Sequence, residues 1–270
     1  MPGILPHLLC AALYGLLAFA IYRSLVASPD DRTQLGPLHW AIAVPLLLHT
    51  WLLSRSVFIG GGMYLGVGNS ISAIIWLTVL IYWLGTFRYR LRSLQVFVLG
   101  TAALAVLLPL VLPSTHPLPH TDFIAFRLHL LISMLAFSLL TIASLQAFLM
   151  ALLERRLHAG ALPPYLRTLP PLLSMEGLLF QIILAGFVLL TLTLGSGMLF
   201  SEELFGRPLR FSHKVVFALL AWIIFAALLG GRRIYGWRGR TALRWTLAGF
   251  MALVLAYIGS KFVLEVLLGF

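Results

Sequence analysis

The sequence predicts an all-α fold, a polytopic membrane protein of eight transmembrane helices with both termini on the outer side. Of its 270 residues, 61% are hydrophobic and only 10% charged, and the mean hydropathy is +1.01. A soluble domain of this size needs more polar surface than that to face water. The apolar residues are gathered into segments long enough to cross a bilayer, and the cations fall unevenly between the turns that separate them. Residues 1–270 read as a single transmembrane helical domain, without an internal repeat, soluble domain or low-complexity linker.

A bilayer core takes about 20 apolar residues per helix. On that rule the spans fall at 4–26, 37–57, 69–87, 94–112, 124–153, 176–199, 212–230 and 241–268. The first, within MPGILPHLLCAALYGLLAFAIY, lacks the basic stretch of a signal peptide and reads as a retained span. Between the spans lie turn-like or charged breaks: SPDDRTQLG, GGGMYLGVGN, RYRLRS, PSTHPLPHTD, ERRLHAGALPPYLRTLPP, SEELFGRPLR and GGRRIYGWRGR. Loops after the odd-numbered spans carry thirteen arginines, whereas the other side has six cations, Arg55, Arg127, Arg207, Arg210, Lys214 and Lys261. Lysine and arginine accumulate on the cytoplasmic side, so both termini are expected outside, in a multi-pass bacterial inner membrane protein. The net charge of +11 is dispersed over these loops, which suits anionic lipid headgroups and argues against nucleic acid.

Function classes narrow quickly. Cys10 is the sole cysteine, which excludes an internal disulfide, a CxxC pair and a CxxCH haem attachment site. No Ser/His/Asp arrangement or phosphate loop is present, and the glycines at 60–62 open no nucleotide fingerprint. What remains is histidine, because ionisable residues in spans are costly and mark functional positions. His49 lies in span 2, His129 about one turn into span 5, and His213 opens span 7 behind the candidate cap Ser212. The orientation above brings all three toward the outer leaflet. Neutral imidazole ligates haem iron, and helix bundles build cofactor sites from facing side chains, so a b-type haem is one reading. Histidines that bond neighbouring helices or headgroup water are the other.

The remaining polar residues carry less. His39 stands about 15 Å along the helix from His49, too far to share an iron with it. His116 and His120 flank prolines in an external loop, and His7 and His158 read as interfacial. Gln146 is expected to bond between helices, and Lys261 and Glu265 to pair on one face. Arg127, two residues before His129, suits either a haem propionate or a lipid phosphate, and Arg55 carries the same ambiguity. Trp51, Tyr64, Trp76, Trp83 and Trp237 fit an interfacial aromatic belt.

Three segments carry a resemblance: KVVFALLAWIIFAALLGGRRIYGWRGRTALRWTLAGF over 214–250, LLLHTWLLSRSVFIGGGMYLGVGNSISAIIWL, and FRLHLLISMLAFSLLTIASLQAFLMALLERRL. Together they resemble the cytochrome c assembly membrane proteins, the family of CcsA and HemX, and most closely its YpjD/HemX-like branch. The resemblance implies an eight-helix haem-handling protein of the bacterial inner membrane, with a cytochrome c biogenesis partner in the membrane. His49 and His129 match haem ligands of the synthetase members, and His213 stands where those members carry a tryptophan-rich WWD signature. Here SEELFGRPLRFSHK holds no tryptophan, Gly230 replaces a second membrane histidine, and KFVLEVLLGF lacks a final external histidine. The expectation is one haem b near the outer leaflet held by His49 and His129, with His213 as an alternate or gating ligand and Arg127 beside it, and no enzymatic attachment of haem to apocytochrome. A haem exchanging electrons with quinone is a variant of it. The competing expectation is a cofactor-free scaffold or a regulatory subunit of a transporter or assembly complex.

Overall fold

The computed structural model describes residues 3–27, 36–89, 92–112, 117–118, 121, 123–158, 169, 171–205 and 213–259. Helix α1 spans Ile4–Ala27, α2 Pro37–Ala41, α3 Ala43–Val57, α4 Val67–Gly85, α5 Arg92–Ala105 and α6 Leu108–Val111. The second half consists of α7 Ile124–His158, α8 Leu172–Phe205, α9 His213–Tyr235 and α10 Gly239–Val254, which runs into a π-helical turn at Leu255–Gly259. Seven helical segments among the described residues are long and apolar enough to cross a membrane. The expected eighth span corresponds to α10 and its π turn, and its remainder lies outside the described residues, as do Ser212, His116, His120, Lys261 and Glu265.

Two expected spans are broken, and proline explains both. Pro45 has no N–H to bond the carbonyl of Ala41, and α2 ends at Ala41 with α3 starting at Ala43. Pro109 likewise has none for Ala105, the last residue of α5. The chain continues in each case through a displaced turn, with Ile42 N donating to His39 O and Leu107 N to Leu104 O.

Helices α1, α3, α4 and α5 pack as one group and α7, α8, α9 and α10 as another, with α4 against α7 joining them. One end of the bundle carries a two-stranded hairpin, β1 (Phe58–Ile59) and β2 (Gly62–Met63), closed by Gly60 and Gly61 at φ +57° and +82°. Positive φ at both turn positions matches the twist of a tight hairpin, and glycine adopts it without strain. Asn69 then clasps the end of α3, its side-chain amide donating to Ser56 O at 3.0 Å and Tyr64 O at 2.8 Å. Behind it, α4 approaches α6 closely: a Cβ on Gly68 would stand 2.5 Å from Leu112 O and 2.7 Å from Leu108 O.

The opposite end carries the arginine-rich turn between α9 and α10. There the buried Glu176 carboxylate of α8 pairs with Arg232 and accepts from Gly239 N at 3.3 Å. Arg240 reaches Glu154 of α7 at 2.7 Å. Gln146 bonds between helices as its position in a span suggests, donating to Met175 O at 2.7 Å.

Candidate functional site

His49 is fully enclosed among α1, α3 and α4, with 0% of its surface exposed. Its Nε2 lies 2.9 Å from Ser72 Oγ and its Nδ1 3.4 Å from Tyr14 O–H. Tyr14 is a donor in reach of Nδ1, which leaves the ring proton on Nε2 to meet the serine. Both nitrogens are committed, and the Tyr14 ring stands edge-on at 5.8 Å between centroids.

His129 sits in a different environment. It lines a cavity of about 110 Å³ between α4, α7, α8, α9, α10 and the π turn, at the hairpin end of the bundle. Its Nδ1 lies 2.8 Å from Ser196 Oγ, and that hydroxyl donates to Thr193 O at 3.2 Å. A serine hydroxyl has a single proton; with that proton on Thr193 O, the imidazole donates from Nδ1 and its lone pair is left on Nε2. Among the described residues Nε2 has no hydrogen-bond partner. Lys214 lines the same cavity, its Nζ 5.5 Å from the centre of the Tyr257 ring. Tyr257 in turn donates to Ser70 Oγ on α4 at 3.2 Å.

The three histidines expected to converge do not line one cavity. Neither His49 nor His213 lines the His129 cavity. Among the described residues no three His, Cys, Asp or Glu side chains gather at metal-binding distance. His213 is exposed at the first turn of α9, one residue before Lys214, on a neighbouring face of the helix. Arg127 is also exposed, and its Nε donates to Thr121 O at 2.5 Å outside the cavity lining. The cation that the cavity does present is Lys214. His39, at the arginine-rich end, is boxed by Trp40, Trp83 and Phe87, with Thr86 Oγ1 3.3 Å from its Nδ1.

The donor chemistry at His129 fits a haem iron: a neutral imidazole with its Nε2 lone pair uncommitted and its Nδ1–H anchored, as in metal-binding histidines. The space fits only an edge of the macrocycle, because pockets that enclose a small organic ligand usually reach several hundred Å³. His49 does not fit in the same way, since ligation would break its bond to Ser72.

Residues 39–268, most of the chain, match the model of the cytochrome C assembly protein family. The chain belongs to that family. Inner membrane protein YpjD of Escherichia coli K12 is 29% identical over 265 residues, covering 95% of this chain and 98% of that protein. An uncharacterized 28.8 kDa protein of Azospirillum brasilense is 34% identical over 142 residues, about half of each chain (53% and 52%). Cytochrome c biogenesis protein CcsA of Prochlorococcus marinus NATL1A is 35% identical over 86 residues, 32% of this chain and 27% of that one.

The hydroxyls that decide the two environments were not singled out in the sequence. Ser72, Ser196, Tyr14, Ser70 and Tyr257 are unremarked polar positions in apolar runs, and only the fold supplies their partners. The available signal was the run GVGNSIS opening α4, where small polar residues replace the leucines of the other spans.

Proposed function

We propose that the protein is a haem-handling component of cytochrome c assembly in a bacterial inner membrane, and that His129 is its iron ligand. The observation that carries the ligand assignment is the uncommitted Nε2 of a ring anchored through Ser196 beside an apolar cavity. Family membership supports the process, and the E. coli relative's name supports the inner membrane. The arginine asymmetry supports an orientation in which the hairpin end, and with it His129, faces the outer leaflet.

When bound, haem would supply an iron that takes axial ligands and changes redox state. The chain's own residues hold and orient. Ser196 fixes the tautomer and ring angle of His129, and the apolar walls of α7 and α8 exclude water from the cavity floor. His49 fits better as a bonded junction of α1, α3 and α4 than as the second ligand. His213 and Arg127, exposed at the same end, would meet the ligand only at the rim.

The test is the absorption spectrum of protein purified from haem-replete cells. A Soret band is expected in the wild type, lost in His129→Ala and kept in His49→Ala. A band that survives His129→Ala overturns the ligand assignment. Its absence from the wild type favours the cofactor-free scaffold.

A further inference from the structure

The cavity that contains His129 has two chemically unlike ends, and the difference concerns more than iron. Ten of its fifteen lining residues are hydrocarbon or thioether side chains, among them Ile74, Phe137, Leu190 and Leu253. Of the five polar ones, two have already given away their protons. Ser133 donates to His129 O at 2.8 Å or Leu130 O at 2.9 Å, and Thr193 donates to Leu189 O at 2.8 Å. Tyr257 directs its proton at Ser70, and His129 directs its own at Ser196. These four groups leave the cavity lone pairs, which repel an anion. Lys214 is the remaining donor, a full positive charge with three N–H bonds, and among the described residues no carboxylate lines the cavity. Its Nζ stands 5.5 Å from the centre of the Tyr257 ring.

We propose that Lys214 is the counter-ion of a ligand carboxylate, so that the cavity takes the acid-bearing edge of an amphipathic molecule against the apolar walls of α4, α7, α8 and α10. One ammonium balances one carboxylate. A phosphate dianion would need further donors, and the lone pairs at Ser133, Thr193 and His129 supply none. The arrangement also sets direction: the acid points to the start of α9, and whatever lies at His129 Nε2 must accept a lone pair. If the haem-handling reading holds, the acid is a side-chain carboxylate of the tetrapyrrole; a long-chain fatty acid has the same chemistry.

The two proposals can fail separately, because a metal-free porphyrin tests the acid without the iron. Purified protein in phosphatidylcholine nanodiscs is titrated with protoporphyrin IX and with its dimethyl ester, and binding is read by porphyrin fluorescence. The diacid is expected to bind wild type about tenfold more tightly than Lys214→Gln, the scale of one charge-assisted hydrogen bond. Lys214→Arg should retain most of that affinity, the ester should not distinguish the variants, and His129→Ala should keep the preference for the acid. Palmitate is then added as a competitor. Displacement that depends on Lys214 identifies a fatty acid as the source, and lack of displacement identifies the tetrapyrrole. The proposal is overturned if Lys214→Gln binds the diacid as wild type does, if ester and acid bind alike, or if neither probe binds.

Discussion

The two halves of the bundle use a histidine in opposite ways. Around His49, three helices close on an imidazole whose nitrogens both meet hydroxyls, and no surface is left exposed. Around His129, one nitrogen is anchored and the other has no partner among the described residues, beside a cavity with a cation at its edge. Burial in a bundle thus does not by itself make a histidine a ligand. What separates the two is the disposition of neighbouring hydroxyls: Tyr14 and Ser72 consume both nitrogens of one ring, while Ser196 consumes a single nitrogen of the other. Helix α4 stands between them, sending Ser72 to His49 and Ser70 to Tyr257.

That contrast predicts unequal costs. His49→Ala removes a packed ring and orphans Ser72 and Tyr14, so it should lower stability by about 3 kcal/mol. His129→Ala, at a half-open site, should cost less than about 1 kcal/mol while abolishing the haem spectrum. Equilibrium unfolding in mixed micelles, followed by far-ultraviolet circular dichroism, measures both. Equal costs would erase the distinction between junction and ligand.

A second, smaller effect concerns the wall between the two sites. Gly68→Ala puts a methyl group against the carbonyls of Leu108 and Leu112, and backbone cannot yield as a side chain would. The expected loss is about 1–3 kcal/mol. Gly100→Ala in α5 meets nothing within 4 Å and should instead stabilise by about 0.5–1 kcal/mol through helix propensity. If both changes stabilise, α4 and α6 are not held in close contact.

Much of this architecture was legible, for a physical reason. Lipid demands long apolar helices, so composition alone located the spans, and family motifs such as GWRG agreed with them. The breaks at Pro45 and Pro109 follow from missing N–H groups, a cost that continuous hydropathy across each span conceals. The site was harder to read. His49 and His129 are each an ionisable group in a span, and nothing in one dimension tells which ring finds two hydroxyl partners. Ser72 is 23 residues from His49 and Ser196 is 67 from His129. Arg127 looked like the site's cation because it is near His129 in sequence, yet its Nε turns to Thr121 O, and Lys214, from another helix, lines the cavity.

The smallest predicted effect probes whether the two regions communicate through α4. Tyr257→Phe deletes the bond to Ser70 and keeps the aromatic face over which Lys214 Nζ sits at 5.5 Å. Ser70 retains its own bond to Leu65 O at 3.0 Å, so no buried donor is stranded. Hydrogen bonds between membrane helices average about 0.6 kcal/mol, and the stability loss should be of that order. Tyr257→Leu removes the ring as well, and it should additionally weaken diacid porphyrin binding by loosening Lys214, whereas Tyr257→Phe should not. The double change His49→Ala with Tyr257→Phe then measures coupling. If α4 merely separates two independent sites, the two losses add to within about 0.5 kcal/mol. A larger deviation would mean that the serines at 70 and 72 transmit a displacement of one histidine's partners to the other's cavity.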